Sequence, residues 1–306
     1  MRPALICLDD ALIRQPKLAA EVTALGGTAL DLRDLGPALR LWSRPLALDR
    51  LRARLAETLP ASVGPSLAFC GSGDFHHVTP ILLERAIAAS GGGAVTVLHF
   101  DNHPDWVRYG DGAHCGSWVG WAARLPGVAK VVTVGVCSPD IRRSRARRAD
   151  LDLVSEGRLE LYAYRDPAGG RSVELGGHSW PTIANMGEEA FADFLPGRIA
   201  TEAIYVTIDK DVLRAEDAAT NWDQGQTSLS FLKTLLAAIL KDHRLIGADV
   251  VGDWSHAVYG GGVVDGLLKR GEAMLDQPWT PPPAKARAAN EAVNLELLQI
   301  IGSVRQ

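Results

Sequence analysis

Between Val95 and Asp105 the chain reads Val-Thr-Val-Leu-His-Phe-Asp-Asn-His-Pro-Asp, an apolar run that closes on Asp101, His103 and Asp105 at alternate positions. A run of this kind suits a buried parallel strand, and open α/β sheets place their chemistry just beyond the carboxyl ends of such strands. A second run, Ala203-Ile-Tyr-Val-Thr-Ile, ends in Asp209-Lys-Asp211. A third, Ser66-Leu-Ala-Phe-Cys70, leads into Gly71-Ser-Gly-Asp-Phe-His76-His77, where glycines permit a tight turn and imidazoles follow. His76, Asp101, His103, Asp105, Asp209 and Asp211 are therefore six candidate metal ligands. A single Asp after a strand commonly caps the next helix. Caps need neither a His between two Asp residues nor a repeat of the carboxylate pair at another strand end.

Four carboxylates held close together repel one another and raise each other's pKa unless cations lie between them. One divalent ion would leave the set overcharged. Two ions sharing carboxylates balance it, and a pair about 3.5–4 Å apart lowers the pKa of water held between them. Hydrolysis is the chemistry such a site serves. Four carboxylates and two imidazoles, with no thiolate, favour the hard, oxygen-preferring Mn²⁺ over a structural zinc, with Fe²⁺, Zn²⁺ and Mg²⁺ as alternatives.

These elements resemble those of the ureohydrolases, the arginase and agmatinase group, which share a three-layer fold with the histone deacetylase-like enzymes. The family's Gly-Gly-Asp-His, Asp-x-His-x-Asp and Ser-x-Asp-x-Asp elements are answered here by Gly73-Asp74-Phe75-His76, Asp101-Asn-His103-Pro-Asp105 and Thr207-Ile-Asp209-Lys-Asp211. The resemblance spans most of the chain. It implies one Mn²⁺ on His76, Asp101, Asp105 and Asp209, and a second on Asp101, His103, Asp209 and Asp211. It also implies a homo-oligomer, since family members often form trimers or hexamers. Three departures stand out. Phe75 is inserted before His76, which makes His77 a rival ligand; His76 is favoured because Val78-Thr79 then falls in register. The loop after Asp211 is analogous but not the same. The strand end that in the family carries a guanidinium-holding Glu reads Asp249-Val-Val-Gly252-Asp253-Trp254, so Gly252 stands where the Glu is expected. A bulge at Gly252 would let Asp253 supply the carboxylate.

His114, in the glycine-rich segment Asp111-Gly-Ala-His-Cys-Gly-Ser-Trp118, resembles the family's active-site histidine and could handle protons near neutral pH. Asp105 would position the attacking water and Asp253 would pair with the cationic end of a substrate. Trp106, Trp118, Trp222 and Trp254 fall in strand-end loops and are candidates for a cation-binding wall. His99 lies within its strand and is read as packing. The implied reaction is hydrolysis of a guanidino-type C–N bond with release of urea, on a small molecule or on an arginine residue in a peptide. Two other readings stay open: a metal-dependent deacetylase or amidase of the same fold, and a noncatalytic relative that keeps its metals.

The elements that must carry these residues alternate strand and helix along 306 residues without a Pro/Ser-rich linker, which predicts one α/β domain over residues 1–306. Strands are expected at Ala4–Leu8, Ser66–Cys70, Val95–Phe100, Lys130–Val136, Leu159–Tyr164, Ala203–Ile208 and Leu245–Val251. Helices are expected at stretches such as Leu48–Glu57, Pro80–Ala89, Ser230–Lys241 and, last, Ala284–Ile301. A mostly parallel central sheet in a three-layer αβα, arginase/deacetylase-like arrangement follows. Pro278–Pro283 reads as an extended bridge to the last helix. A net charge of −4 gives no global reason to bind nucleic acid. Five arginines within Arg142–Arg148 form a local exception, read as a solvated face or a rim for acidic groups. Cys7, Cys70, Cys115 and Cys137 show no CxxC spacing and fit free thiols in a reducing cytoplasm. No apolar run of about 18 residues suggests a membrane span. If Asp101 bridges two ions, Asp101→Asn loses metal and melts at a lower temperature than the wild-type protein loaded with Mn²⁺, because an ion that binds only the folded chain stabilises it. Equal metal content in the two proteins, measured by elemental analysis, would overturn the bridging role.

Overall fold

Seven aliphatic-rich runs and one short edge segment extend as the strands of the main sheet: β1 (Arg2–Cys7), the edge segment β2 (Thr28–Asp31), β3 (Ser66–Phe69), β4 (Val95–Phe100), β5 (Val128–Val136), β6 (Leu159–Ala163), β7 (Ala203–Asp209) and β8 (Arg244–Val251). The structure is a computed structural model and describes residues 1–59, 66–142, 148–278, 282 and 284–303. The strands form one sheet in the order β2-β1-β3-β8-β7-β4-β5-β6, and every pairing in it is parallel. Parallel strands are connected by crossovers that cover both faces. Two groups of helices flank the sheet. Pro16–Ala24, Leu229–Asp242 and Ala284–Gly302 pack together in one, and Thr79–Ala89 packs beside Trp118–Arg124 in the other. The result is a three-layer αβα architecture.

β4 and β7 are neighbours near the middle of the sheet, and every residue of both is buried. Their register pairs His99 with Thr207, and the adjoining pairings set Thr207 opposite Asp249 on β8 and His99 opposite Thr133 on β5. Side chains on one row of a sheet share a face. A polar row, Asp249-Thr207-His99-Thr133, therefore crosses four strands within an otherwise apolar sheet. Two residues further along, β4 gives way to Asp101 and β7 ends on Asp209.

The seven strands expected from the sequence all form, with ends shifted by one or two residues. β2 was not expected. It has four residues at the sheet edge and only Leu30 of them is buried, so it lacks the apolar run that marks the others. The helix Val263–Asp276 was not expected either. Its buried residues are Asp265, Lys269 and Ala273, whereas Val263, Val264, Leu267, Leu268 and Leu275 are exposed. Polar contacts hold that inner face: Arg44 pairs with Asp265 at 2.9 Å, and Lys269 Nζ donates to the Ala38 carbonyl at 2.8 Å. A helix whose polar side faces inward reverses the usual amphipathic pattern. Most of the arginine-rich stretch and of the Pro278–Pro283 bridge lies outside the described residues. Among the described residues no helix is long and apolar enough to cross a membrane, and all four cysteines are unpaired.

Candidate metal centre

All six predicted ligands gather beyond the ends of β3, β4 and β7. Ser72 caps a short 3-10 helix, Gly73–Val78, by accepting the Asp74 amide, and this turn aims His76 at the ends of β4 and β7. His76 Nδ1 lies 3.1 Å from Asp101 Oδ2, 3.3 Å from Asp105 Oδ2 and 3.7 Å from Asp209 Oδ2. His103 Nδ1 lies 2.9 Å from Asp211 Oδ2 and 3.5 Å from Asp101 Oδ1. Two groups of atoms close enough to share an ion emerge: His76, His99, Asp101 and Asp105, and Asp101, His103 and Asp211. Asp101 belongs to both. Asp209 borders the first group through His76 and the second through its Oδ1, which accepts the Asp211 amide at 2.9 Å. A Cβ on Gly73 would fall 2.4 Å from Asp209 Oδ2, so only glycine lets the loop approach this closely. Asp105 adopts a left-handed backbone, φ 46°, uncommon for a side chain outside Gly, Asn and Asp. Its Oδ2 also accepts the indole N–H of Trp118 at 2.8 Å.

The hydrogen bonds around His76 leave a nitrogen that could meet a cation. Thr207 Oγ1 donates to Asp249 Oδ1 at 2.9 Å, so its oxygen must accept from His76 Nε2, also at 2.9 Å. Nδ1 is then the lone-pair nitrogen of a neutral ring. It is buried and makes no hydrogen bond, yet it faces three carboxylates. A lone pair directed at carboxylate oxygens repels them unless a proton or a metal ion stands between. Without metal a proton takes that place: burial opposes charging of His76, but the facing carboxylates of Asp101 and Asp105 push it well above its ordinary pKa. His77, the rival, is buried with both ring nitrogens unpartnered, belongs to neither ligand group, and is pushed well below its ordinary pKa by burial first and by the neighbouring His114 charge next.

The carboxylates divide in the same way. Burial opposes the charge on Asp101, but His99 and hydrogen bonds from His103, His76 and His99 hold its carboxyl well below the usual range. Burial, followed by the charge of Asp101, raises Asp105 and Asp211 and pushes Asp209 up to about 7. One firm anion surrounded by three reluctant ones is what a dense carboxylate cluster gives when cations are absent. The donor set of four carboxylates and imidazoles suits hard or borderline divalent ions.

Of the residues outside the ligand set, His114 and Trp222 line the cavity as expected and others do not. Asp253 does not reach the cavity above the cluster. It is buried, and its Oδ1 accepts from Lys210 Nζ at 2.5 Å and from Gln15 Nε2 at 2.9 Å. The backbone does break at Gly252, φ +93°, but the turn sends Asp253 beneath the site, where Lys210 is its cation. His99 points at the cluster rather than into packing, with Nε2 2.8 Å from Asp101 Oδ2 and Nδ1 3.0 Å from Thr133 Oγ1. Of the tryptophans, Trp222 lines the cavity. Trp118 packs against the His76 and His99 rings, Trp106 is buried in the core, and Trp254 lies under the Arg287 guanidinium at 4.4 Å.

A cavity of 640 Å³ opens over the cluster and reaches Asp101, His103, Asp105, Asp209, Asp211 and His114. His114 Nδ1 accepts the Gly116 amide at 2.8 Å, so its proton sits on Nε2, which donates to Glu272 Oε1 at 2.6 Å. A Cβ on Gly116 would lie 3.3 Å from His114 Nδ1 and 3.8 Å from Asp105 Oδ1, so the His114–Glu272 pair and the cluster are neighbours across this glycine. Two acidic residues beside the cluster were not expected from the sequence. Asp223 holds His103 Nε2 at 2.9 Å and fixes which nitrogen faces Asp211; Glu272 arrives from the inverted helix. Only an isolated Asp within Asn221-Trp-Asp-Gln-Gly225 signalled the first, and nothing signalled the second.

Two outcomes follow. A Cβ at position 252 would lie 2.4 Å from both Asp209 Oδ1 and the Lys210 amide nitrogen. Gly252→Glu, which restores the family's carboxylate by sequence, should therefore cost about 1–3 kcal/mol or more and lower metal occupancy; a variant as stable and as metal-rich as wild type would refute this. The second outcome concerns pH. In the metal-free protein the folded chain holds the Asp209 proton up to about 7, whereas the unfolded chain releases it near the ordinary value of 3.8. The folded state thus binds more protons across that window, and its stability falls as pH rises through it. Metal affinity rises over the same window as the ligands deprotonate. Calorimetric melting of metal-free protein should show this fall, diminished in Asp209→Asn; an unchanged pH profile in the variant would contradict it.

No protein-family model matches the chain. It is 26% identical over 210 residues to an uncharacterised protein of Thermotoga maritima, a match that spans 69% of this chain and 66% of that protein, just under two thirds of its length. Among solved structures it is similar to the arginase of Bacillus caldovelox, with 14% identity, TM-score 0.59, and 99% and 98% of the two chains covered. It is likewise similar to a hypothetical agmatinase from Burkholderia thailandensis, with 16% identity, TM-score 0.57, and 97% and 84% covered. The arginase of Entamoeba histolytica, solved with L-ornithine, matches at 11% identity and TM-score 0.60, covering 99% and 97%. With its eight-stranded parallel sheet, flanking helices and cluster of His and Asp residues compatible with a metal site, the chain has the arginase fold.

Proposed function

We propose that this protein hydrolyses a guanidino-type C–N bond and releases urea, using two Mn²⁺ ions held by His76, Asp101, His103, Asp105, Asp209 and Asp211. The observation that carries this reading is the buried lone pair of His76 facing Asp101, Asp105 and Asp209 at the floor of an open cavity. When bound, such ions supply Lewis acidity and water activated at neutral pH. The chain's own residues do the rest. Thr207 and Asp249 hold the His76 tautomer, and Asp223 holds that of His103, as partners behind metal ligands do. Asp105, fixed by Trp118, is positioned to orient the attacking water. The His114–Glu272 pair lies on the cavity wall, where it can take up the proton released by the attacking water and pass it to the leaving amine. The cavity falls within the range of small-ligand sites, about 300–1,000 Å³, and the substrates proposed are a small guanidino compound or an arginine residue in a peptide. Unpaired cysteines fit a reducing cytoplasm. The test is urea release by Mn²⁺-loaded protein from arginine, agmatine, guanidino acids and arginine-containing peptides, with Asp101→Asn as control. Urea from one class, absent in the control, is the expected result; no urea from any of them would end this reading.

A further inference from the structure

The strand end beside the cluster cannot present an anion to a substrate. Gly252 has no room for a side chain, and Asp253 is neutralised by Lys210 below the floor. Yet the cavity is built for a cation. Two divalent ions would balance the four ligand aspartates, and besides Asp140, which is engaged by a partner of its own, the charged groups then left among its described lining residues are Asp223, Glu272 and Asp276, with no Lys or Arg. Asp223 is committed to His103 and Asn102, and Asp276 is exposed at the rim.

Glu272 differs from these. It is half-buried, and each carboxylate oxygen is oriented by one fixed donor: Oε1 by His114 Nε2 at 2.6 Å and Oε2 by Trp42 Nε1 at 3.0 Å. A carboxylate offers about four lone-pair sites, so two remain, one on each oxygen, in the arrangement that a planar amidinium or guanidinium meets with two parallel N–H groups. Burial opposes its charge, but the bond to His114 keeps its carboxyl below the usual range. The helix that carries it is anchored at its end, where Gln277 Nε2 donates to Asp74 Oδ1 at 2.6 Å; Trp222 Nε1 donates to the same oxygen at 2.9 Å. Tyr109, tilted against His114 with ring centroids 5.7 Å apart, adds an aromatic face to the same wall.

We infer that Glu272 is the carboxylate that receives the planar cationic end of the substrate, so that the Val263–Asp276 helix, and not a strand of the sheet, sets specificity for charge. The inference rests on the hydrolase reading for the identity of the site, but binding tests it without turnover. The experiment is calorimetric titration of Mn²⁺-loaded wild type, Glu272→Gln and Asp276→Asn with agmatine and with its neutral ureido counterpart. Wild type should bind agmatine more tightly than the ureido compound. Glu272→Gln should weaken agmatine binding by about tenfold or more and leave ureido binding and metal content unchanged, while Asp276→Asn changes little. Equal agmatine binding in wild type and Glu272→Gln would overturn the assignment. So would a wild type that binds the two compounds equally or binds neither, and this arm holds even if Glu272→Gln does not fold. Failure of urea release with agmatine binding still dependent on Glu272 would strike the hydrolase reading alone.

Discussion

Four aspartates brought together in a buried pocket govern this structure. Two unit charges 4 Å apart repel by about 4 kcal/mol at the effective dielectric of a protein surface, so a set of four cannot form unless each negative charge meets a proton, a hydrogen-bond donor or a metal ion. Every element near the site answers that demand. Imidazoles of His76, His99 and His103 converge on Asp101, backbone amides of His103 and Asp211 donate to Asp101 and Asp209, and the Trp118 indole donates to Asp105. The charge that remains is what divalent ions would neutralise.

The parallel register of the sheet organises this compensation. Because Thr207 lies opposite both His99 and Asp249, one row of polar side chains sits directly beneath the ligands and acts on them from behind. It sets the tautomer of His76 and orients His99. The buried Lys210–Asp253 pair does a similar task below β7, tied by Asn294 and Gln15 to the last helix and the first turns of the chain. Removing one member of a buried pair costs about 3–5 kcal/mol, so this pair clamps the segment carrying Asp209 and Asp211. The same commitment takes Asp253 away from any substrate. A carboxylate one residue from the family's position is therefore chemically unlike it, since its cation is already inside the protein.

The far wall of the cavity is made differently. The Val263–Asp276 helix docks through ion pairs and hydrogen bonds and leaves its aliphatic residues outward. It brings Glu272 to His114 from 158 positions away in the chain. The fold thus separates two tasks. Sheet ends hold the ligand cluster, while a peripheral helix supplies the acidic group nearest His114.

Sequence by itself determined seven of the eight strands of the sheet and the placing of the six candidate His and Asp residues at strand ends. Val95–Phe100 and Ala203–Asp209 are long β-branched runs, and their terminal Asp and His residues recur at alternate positions, a local pattern that chain geometry alone converts into convergent ligands. Period-two alternation also held the role of His99, which shares its parity with Asp101; reading it as packing overlooked that. Tertiary structure alone decided the fate of Asp253, the parts played by Glu272 and Asp223, the place of β2 at the sheet edge and the inverted helix. Each depends on a partner distant in the chain: Lys210 for Asp253, His114 for Glu272, His103 for Asp223, β1 for β2, and Arg44 for Asp265. The energy of a charge or an exposed edge is set by what stands beside it in space, and no periodicity in the chain records that.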